Sequence, residues 1–154
     1  MTPIATAPVL TASQMPDMPD ISTQAQLERM TLAGAAPWMY SALAQLRELE
    51  QTGEVIAGIG DLRVAERTAM TARLLLSLID VTDLPVPLVS PVSGGSVSIM
   101  WSMGTREVKF SCYPDGQAMY FKCEDDEILE DGTVNLTAPN SARIPLNWMA
   151  QQQR

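Results

Sequence analysis

LPVPLVSPVSGGSVSIMWSMGTREVKFSCYPDGQAMYFKC, residues 84–123, is the stretch whose reading decides the fold. Val97, Ile99 and Trp101 alternate with Ser96, Ser98 and Met100, the period of two that a half-buried strand requires. Val108, Phe110 and Cys112 alternate in the same way with Glu107, Lys109 and Ser111, and Met119, Phe121 and Cys123 with Ala118, Tyr120 and Lys122. Gly104-Thr105 reads as a two-residue turn with glycine first, and Asp115-Gly116 as a tight Asp-Gly turn. These turns set Trp101 opposite Val108, Ile99 opposite Phe110 and Val97 opposite Cys112. Across the second hairpin they set Cys112 opposite Met119, Phe110 opposite Phe121 and Val108 opposite Cys123. All three apolar sets then share one face, with Trp101, Phe110 and Phe121 side by side. Lys109 falls opposite Lys122, a mildly unfavourable pair. A slip of one residue in either hairpin would turn a whole strand's pattern over.

Upstream, Pro85, Pro87 and Pro91 keep residues 84–92 extended and bar them from a central position in a sheet. Gly94-Gly95 is a turn into the first strand. Before it, Asp61 reads as the N-cap of the longest helix, Leu62 to about Ile79. Leu62, Ala65, Ala69, Ala72, Leu76 and Ile79 recur at helical spacing, widened by Leu75 and Leu78, and small alanines allow close approach to the Trp101 face. Arg63, Glu66, Arg67 and Arg73 fall on the outer, solvated side. Pro37 suits the first position of another helix, which runs to about Gln51 with Met39, Leu43, Leu46 and Glu50 in line and Trp38, Ala42 and Leu49 flanking. Residues 54–60, EVIAGIG, fit a strand or a packed loop equally. Thr23 to about Ala33 carries a capping-box pattern for a short helix. Residues 1–21 hold Pro3, Pro8, Pro16 and Pro19, which forbid a continuous helix, and read as a flexible arm ahead of one domain over 22–154. Ile4, Val9, Leu10, Met15 and Met18 could serve that arm as anchors.

Downstream, CEDDEILEDG reads as an acidic loop or helical turn around Ile128 and Leu129. Thr133 to Thr137 reads as a fourth strand with Val134 and Leu136 inward. Ile144 to Gln153 reads as a short helix with Pro145 near its start and Trp148 and Met149 docking. The fold class is therefore α+β: a three- to four-stranded antiparallel meander with two or three helices packed on one face.

The net charge of −8 is local, since Glu124, Asp125, Asp126, Glu127, Glu130 and Asp131 supply six negative charges and leave −2 elsewhere. A basic footprint for direct nucleic-acid binding is absent. Without histidine, the commonest general base and metal ligand is missing. Ser93-Gly94-Gly95-Ser96 lacks the spacing of a nucleophile elbow, and no Lys-Ser/Thr follows Gly94-Gly95 to make a phosphate loop. A calcium loop alternates acids with a glycine at its sixth position and a glutamate at its twelfth, and Glu124 to Asp131 has neither the alternation nor that glycine. A solvated acidic cluster also lacks the split pKa values of a glycosidase pair. Cys112 and Cys123 read as reduced core residues, out of register for a bridge, which fits the cytoplasm. No secretory signal and no membrane span is expected.

Leu84-Pro85-Val86-Pro87, Pro91, Gly95, Trp101, Arg106-Glu107 and Pro114-Asp115-Gly116 resemble the pattern of small uncharacterised bacterial or phage proteins. These combine an alanine- and leucine-rich helix, a Pro-x-Pro entry, a Gly-x5-Trp strand and a hairpin closed by Pro-Asp-Gly. The resemblance spans roughly Val64 to Tyr120. It implies a bacterial, plasmid or phage origin and, having no established activity, lends no catalytic residue; no cofactor is expected.

The functional expectation is a non-catalytic interaction protein. Its partner would be a protein with a basic surface, met by Glu124, Asp125, Asp126, Glu127, Glu130 and Asp131 together with an exposed sheet edge, in the manner of an antitoxin, an immunity protein or a phage inhibitor. One alternative is a self-assembling structural or virion-associated protein, which leaves a homodimer open. The other is a carboxylate- or metal-dependent enzyme.

Overall fold

The computed structural model describes residues 36–52, 55–56, 60–81 and 83–151. The arm expected over 1–21 and the helix expected over Thr23–Ala33 lie outside them. Helix α1 (Pro37–Thr52) starts at its proline, followed by two short paired strands, β1 (Val55–Ile56) and β2 (Gly60–Asp61). Helix α2 (Glu66–Ser77) then leads into five strands: β3 (Leu88–Val92), β4 (Ser96–Met103), β5 (Arg106–Cys112), β6 (Ala118–Glu124) and β7 (Glu127–Thr133). Helix α3 (Asn140–Gln151) closes the described chain. The five strands form an antiparallel meander in chain order, one strand longer than the upper expectation. The added members come from both ends. The proline-rich entry joins as edge strand β3, and the acidic run forms β7 where a loop or helical turn was expected. The fourth strand expected at Thr133–Thr137 therefore ends where it was to begin, although Val134 is buried.

The first hairpin has the expected register. Trp101 pairs with Val108, Ile99 with Phe110 and Val97 with Cys112, and Gly104 has φ +62 as a glycine-first turn needs. The second hairpin is one residue out. Phe110 pairs with Tyr120, Lys109 with Phe121 and Cys112 with Ala118. The physical reason is the turn. Of Asp115 and Gly116, only Gly116 has positive φ, at +91, so the two-residue Asp-Gly turn does not form. Instead, the Gly116 amide donates to the Tyr113 carbonyl and the Tyr113 amide to the Gln117 carbonyl, a three-residue loop with glycine in the left-handed position. The extra residue turns β6 over. Met119, Phe121 and Cys123 leave the core face, and Ala118, Tyr120 and Lys122 take it. The Lys109–Lys122 clash vanishes, and the Lys109 ammonium lies 5.2 Å from the Phe121 ring centre.

The helices cover the face that carries Val97, Ile99, Trp101, Val108, Phe110 and Cys112, all fully buried. Trp38 of α1 takes the place expected of Phe121. Its ring meets Trp101 edge-on at 5.2 Å, and Trp101 meets Phe110 edge-on at 5.9 Å. Such pairs add roughly 0.5–1.5 kcal/mol each beyond the area they bury. The Trp38 indole N–H donates to the Val81 carbonyl at 2.9 Å, so the ring is both packed and satisfied.

Helix α2 begins later than its periodicity predicts. Asp61 belongs to β2, and Ala65 stands at the N-cap with no side-chain cap. The Ala65 amide donates to the Gly95 carbonyl at 3.1 Å, so contact with the β3–β4 turn fixes the start. Arg73 does not face solvent. It is 3% exposed and grips Glu50 of α1 through two hydrogen bonds of 2.5 and 3.1 Å. In α3, Ala142, Pro145, Leu146 and Met149 are buried at helical spacing, and Pro145 lies inside the helix rather than at its start. Cys112 is buried, which pushes its thiol up to about 12. Cys123 is only half-buried on the open face, where burial first and the Glu107 carboxylate second raise its thiol above the ordinary range. Both thiols are held in the protonated, unreactive form.

Candidate functional site

The six acidic side chains sit on one hairpin. Asp125 and Asp126 form its two-residue tip, with φ of +51 and +68, and Glu124 pairs with Glu127 across them. Two consecutive left-handed residues are the mark of a type I′ turn, which follows the twist of its strands; aspartate enters that region more readily than most residues. The Asp125 amide also donates to the Thr105 carbonyl at 3.0 Å, tying the tip to the neighbouring β4–β5 turn. The acidic segment is thus an ordered projection with a defined direction.

The six acids divide into two groups. Glu124 lies 3.5 Å from the Arg106 Nε, an ion-pair distance without hydrogen-bond geometry, and accepts from the Thr105 hydroxyl. Glu130 accepts a 2.5 Å bond from the Tyr120 hydroxyl and lies 3.3 Å from the Lys122 ammonium. Asp125, Asp126, Glu127 and Asp131 are exposed and form no ion pair with the described residues. The cations are drawn toward the helices instead. Arg106 lies 4.5 Å from the Trp148 ring centre and donates to the Trp148 carbonyl at 2.7 Å, while Lys122 lies 5.2 Å from the same ring. These contacts fasten α3 to the sheet.

Strand alternation also separates the carboxylates. Glu130 opposes Lys122 on the helix-covered side, whereas Asp131 opposes Phe121 on the open side. Among the described residues no cluster of three or more potential ligands could hold a metal ion. No helix among them is long and apolar enough to cross a membrane.

The sequence reading missed two features here. Ile128 and Leu129 are 62% and 54% exposed on β7, framed by the acids. A register shift at Lys122/Cys123 makes room for Leu129 as an extra residue, so neither side chain turns toward the core. Gly132 lies opposite Tyr120, and a Cβ on it would come within 2.8 Å of the Tyr120 ring. The ring lies over the glycine and so brings its hydroxyl to Glu130. The readable signal was the Asp125-Asp126 pair between Glu124 and Glu127, since two adjacent aspartates suit a left-handed turn.

The Tyr120–Glu130 bond makes a testable pH dependence. It is the first cause holding Glu130 below its ordinary 4.5, with Lys122 second, and the first cause holding Tyr120 above its ordinary 10.0. A lowered carboxylate stabilises the fold above its unfolded value and loses that contribution as pH falls through the folded one. A raised phenol does the reverse, contributing below 10.0 and fading as pH climbs past its folded value. Tyr120→Phe should therefore lower urea stability at neutral pH, with the difference shrinking at both extremes. Gly132→Val should displace the ring and return the Tyr120 titration, read by ultraviolet absorbance, toward 10.0.

Family models, curated proteins and solved structures offer no match to this chain.

Proposed function

We propose that this chain is a non-catalytic, acidic protein-binding module that engages a basic partner through the β6–β7 hairpin. That is the manner of antitoxins, immunity proteins and phage-encoded inhibitors. The observation that supports it is the tip. Asp125, Asp126 and Glu127 project together, exposed, on a turn whose backbone is pinned to Thr105. A pre-ordered charge cluster loses little conformational entropy on docking, and complementary charge accelerates encounter and selects partners. Exposed Ile128 and Leu129 beside the acids supply the apolar contact that charge alone lacks.

The test is neutralisation without distortion. Asn enters the left-handed region as readily as Asp, so Asp125→Asn, Asp126→Asn and Glu127→Gln together should leave the turn intact. Against a partner captured from the source cell, this variant should bind about tenfold or more weakly, mostly through a slower on-rate that also falls with added salt. A control that removes the same charge at exposed Glu48, Glu66 and Asp83 should bind as wild type. Equal behaviour of the two variants would dismiss the hairpin as the docking element.

A further inference from the structure

The two edges of the five-stranded sheet are treated oppositely. On β3, the Val89 amide donates to the Gln45 side-chain carbonyl at 2.8 Å, and the Gln45 amide donates to the Pro87 carbonyl at 2.9 Å. A single side chain of α1 therefore mimics a paired strand there. The Val89 N–H points away from β4, so two residues on the chain faces the same edge, and that position is Pro91, which has no N–H to offer. This edge is closed to another strand.

On β7 nothing of this kind exists among the described residues. The Val134 amide donates inward to the Ala118 carbonyl at 2.8 Å. The alternation of an antiparallel ladder then turns Gly132 inward, and the N–H and C=O groups of Asp131 and Thr133 outward. No described strand pairs with that side, and every residue of β7 except Gly132 is exposed. Open edges are usually blunted by lysine, proline or a covering element. Among the described residues the bulge and the acids are the only restraint here, and acids repel only partners of like sign.

We infer that β7 accepts an extended peptide as a sixth strand, and that the peptide is basic, with lysine or arginine alternating with apolar residues. This rests on the reading of the hairpin as a docking element and specifies how the partner docks. Charge complementarity selects the occupant. A second copy would lay two strands bearing Glu127, Glu130 and Asp131 side by side, and like charges across a strand pair are destabilising. A basic strand meets those carboxylates, pairs its backbone with Asp131 and Thr133, and covers Ile128 and Leu129 with alternate side chains.

The experiment uses the full chain and a fluorescent, capped peptide of alternating lysine and valine matched in length to β7. Anisotropy should show saturable binding, and amide exchange should slow at Asp131 and Thr133. N-methylating the peptide backbone keeps its charge and should weaken binding about tenfold or more, as lost backbone hydrogen bonds would. Thr133→Pro removes only an outward N–H and should do the same while leaving thermal stability near wild type. Binding that survives both changes but fails with the neutralised tip overturns strand addition and leaves charge docking in place. Absence of any binding overturns both.

Discussion

Replacing Trp101 by alanine is expected to cost about 3–5 kcal/mol, the range for emptying a buried aromatic site. Domains of this size are stable by only about 5–15 kcal/mol, so the variant should lose a large part of its stability. Trp101 is fully buried and touches Trp38 on one side and Phe110 on the other, so the cavity opens at the junction of α1 and the sheet. With urea slopes of about 1–3 kcal/mol per molar, the unfolding midpoint should fall by one molar or more. Phe121→Ala is the informative companion. Phe121 lies half-buried on the open face against Lys109, and its loss should cost only about 1 kcal/mol. Equal losses at the two positions would return Phe121 to the core and contradict the three-residue turn at Pro114–Gly116.

The second large effect is expected at Glu50. Arg73 is 3% exposed and Glu50 23%, so the bidentate pair between α1 and α2 is screened little by water. Glu50→Ala leaves the Arg73 guanidinium in place without this carboxylate, and about 3 kcal/mol should be lost. Removing both charges together, as Arg73→Leu with Glu50→Ala, should restore stability to within about 1 kcal/mol of wild type, because the desolvation penalty goes with the pair. Thermal or urea unfolding of the three proteins measures this directly. A harmless Glu50→Ala would mean that the Glu50–Arg73 pair adds little to the stability of the fold.

Much of the fold was legible because it rests on local periodicity. The alternation through Val97–Trp101 and Val108–Cys112 needs only the turn at Gly104 to become a correct register. The helix from Pro37 was readable because proline marks its start and its apolar stripe has a single phase. The second hairpin failed at one decision. Pro114-Asp115-Gly116 permits either a two- or a three-residue loop, and β6 alternates almost equally well on both faces, with Met119, Phe121 and Cys123 against Ala118, Tyr120 and Lys122. The tightly packed helix-covered side accepts Ala118 and the tilted Tyr120 ring. Lys122 reaches past that side to Trp148 and Glu130. The acidic segment was recognised as a unit, but its strand character was hidden because charged residues carry little strand propensity.

By itself the sequence determined the composition of the sheet's centre, the phase of α1, the absence of histidine and the crowding of six acids into one segment. Each of these is a property of residue type or near-neighbour spacing. Only the tertiary structure decided that Trp38 rather than Phe121 completes the aromatic cluster, that Arg73 is buried against Glu50, and that Gln45 seals one sheet edge while no described strand pairs with the other. Those outcomes depend on contacts between residues more than twenty positions apart in the chain, and on a turn whose length differs by one residue between its two allowed forms. Local patterning cannot choose between those forms, because the choice is made by how well the faces pack once the strand has turned over.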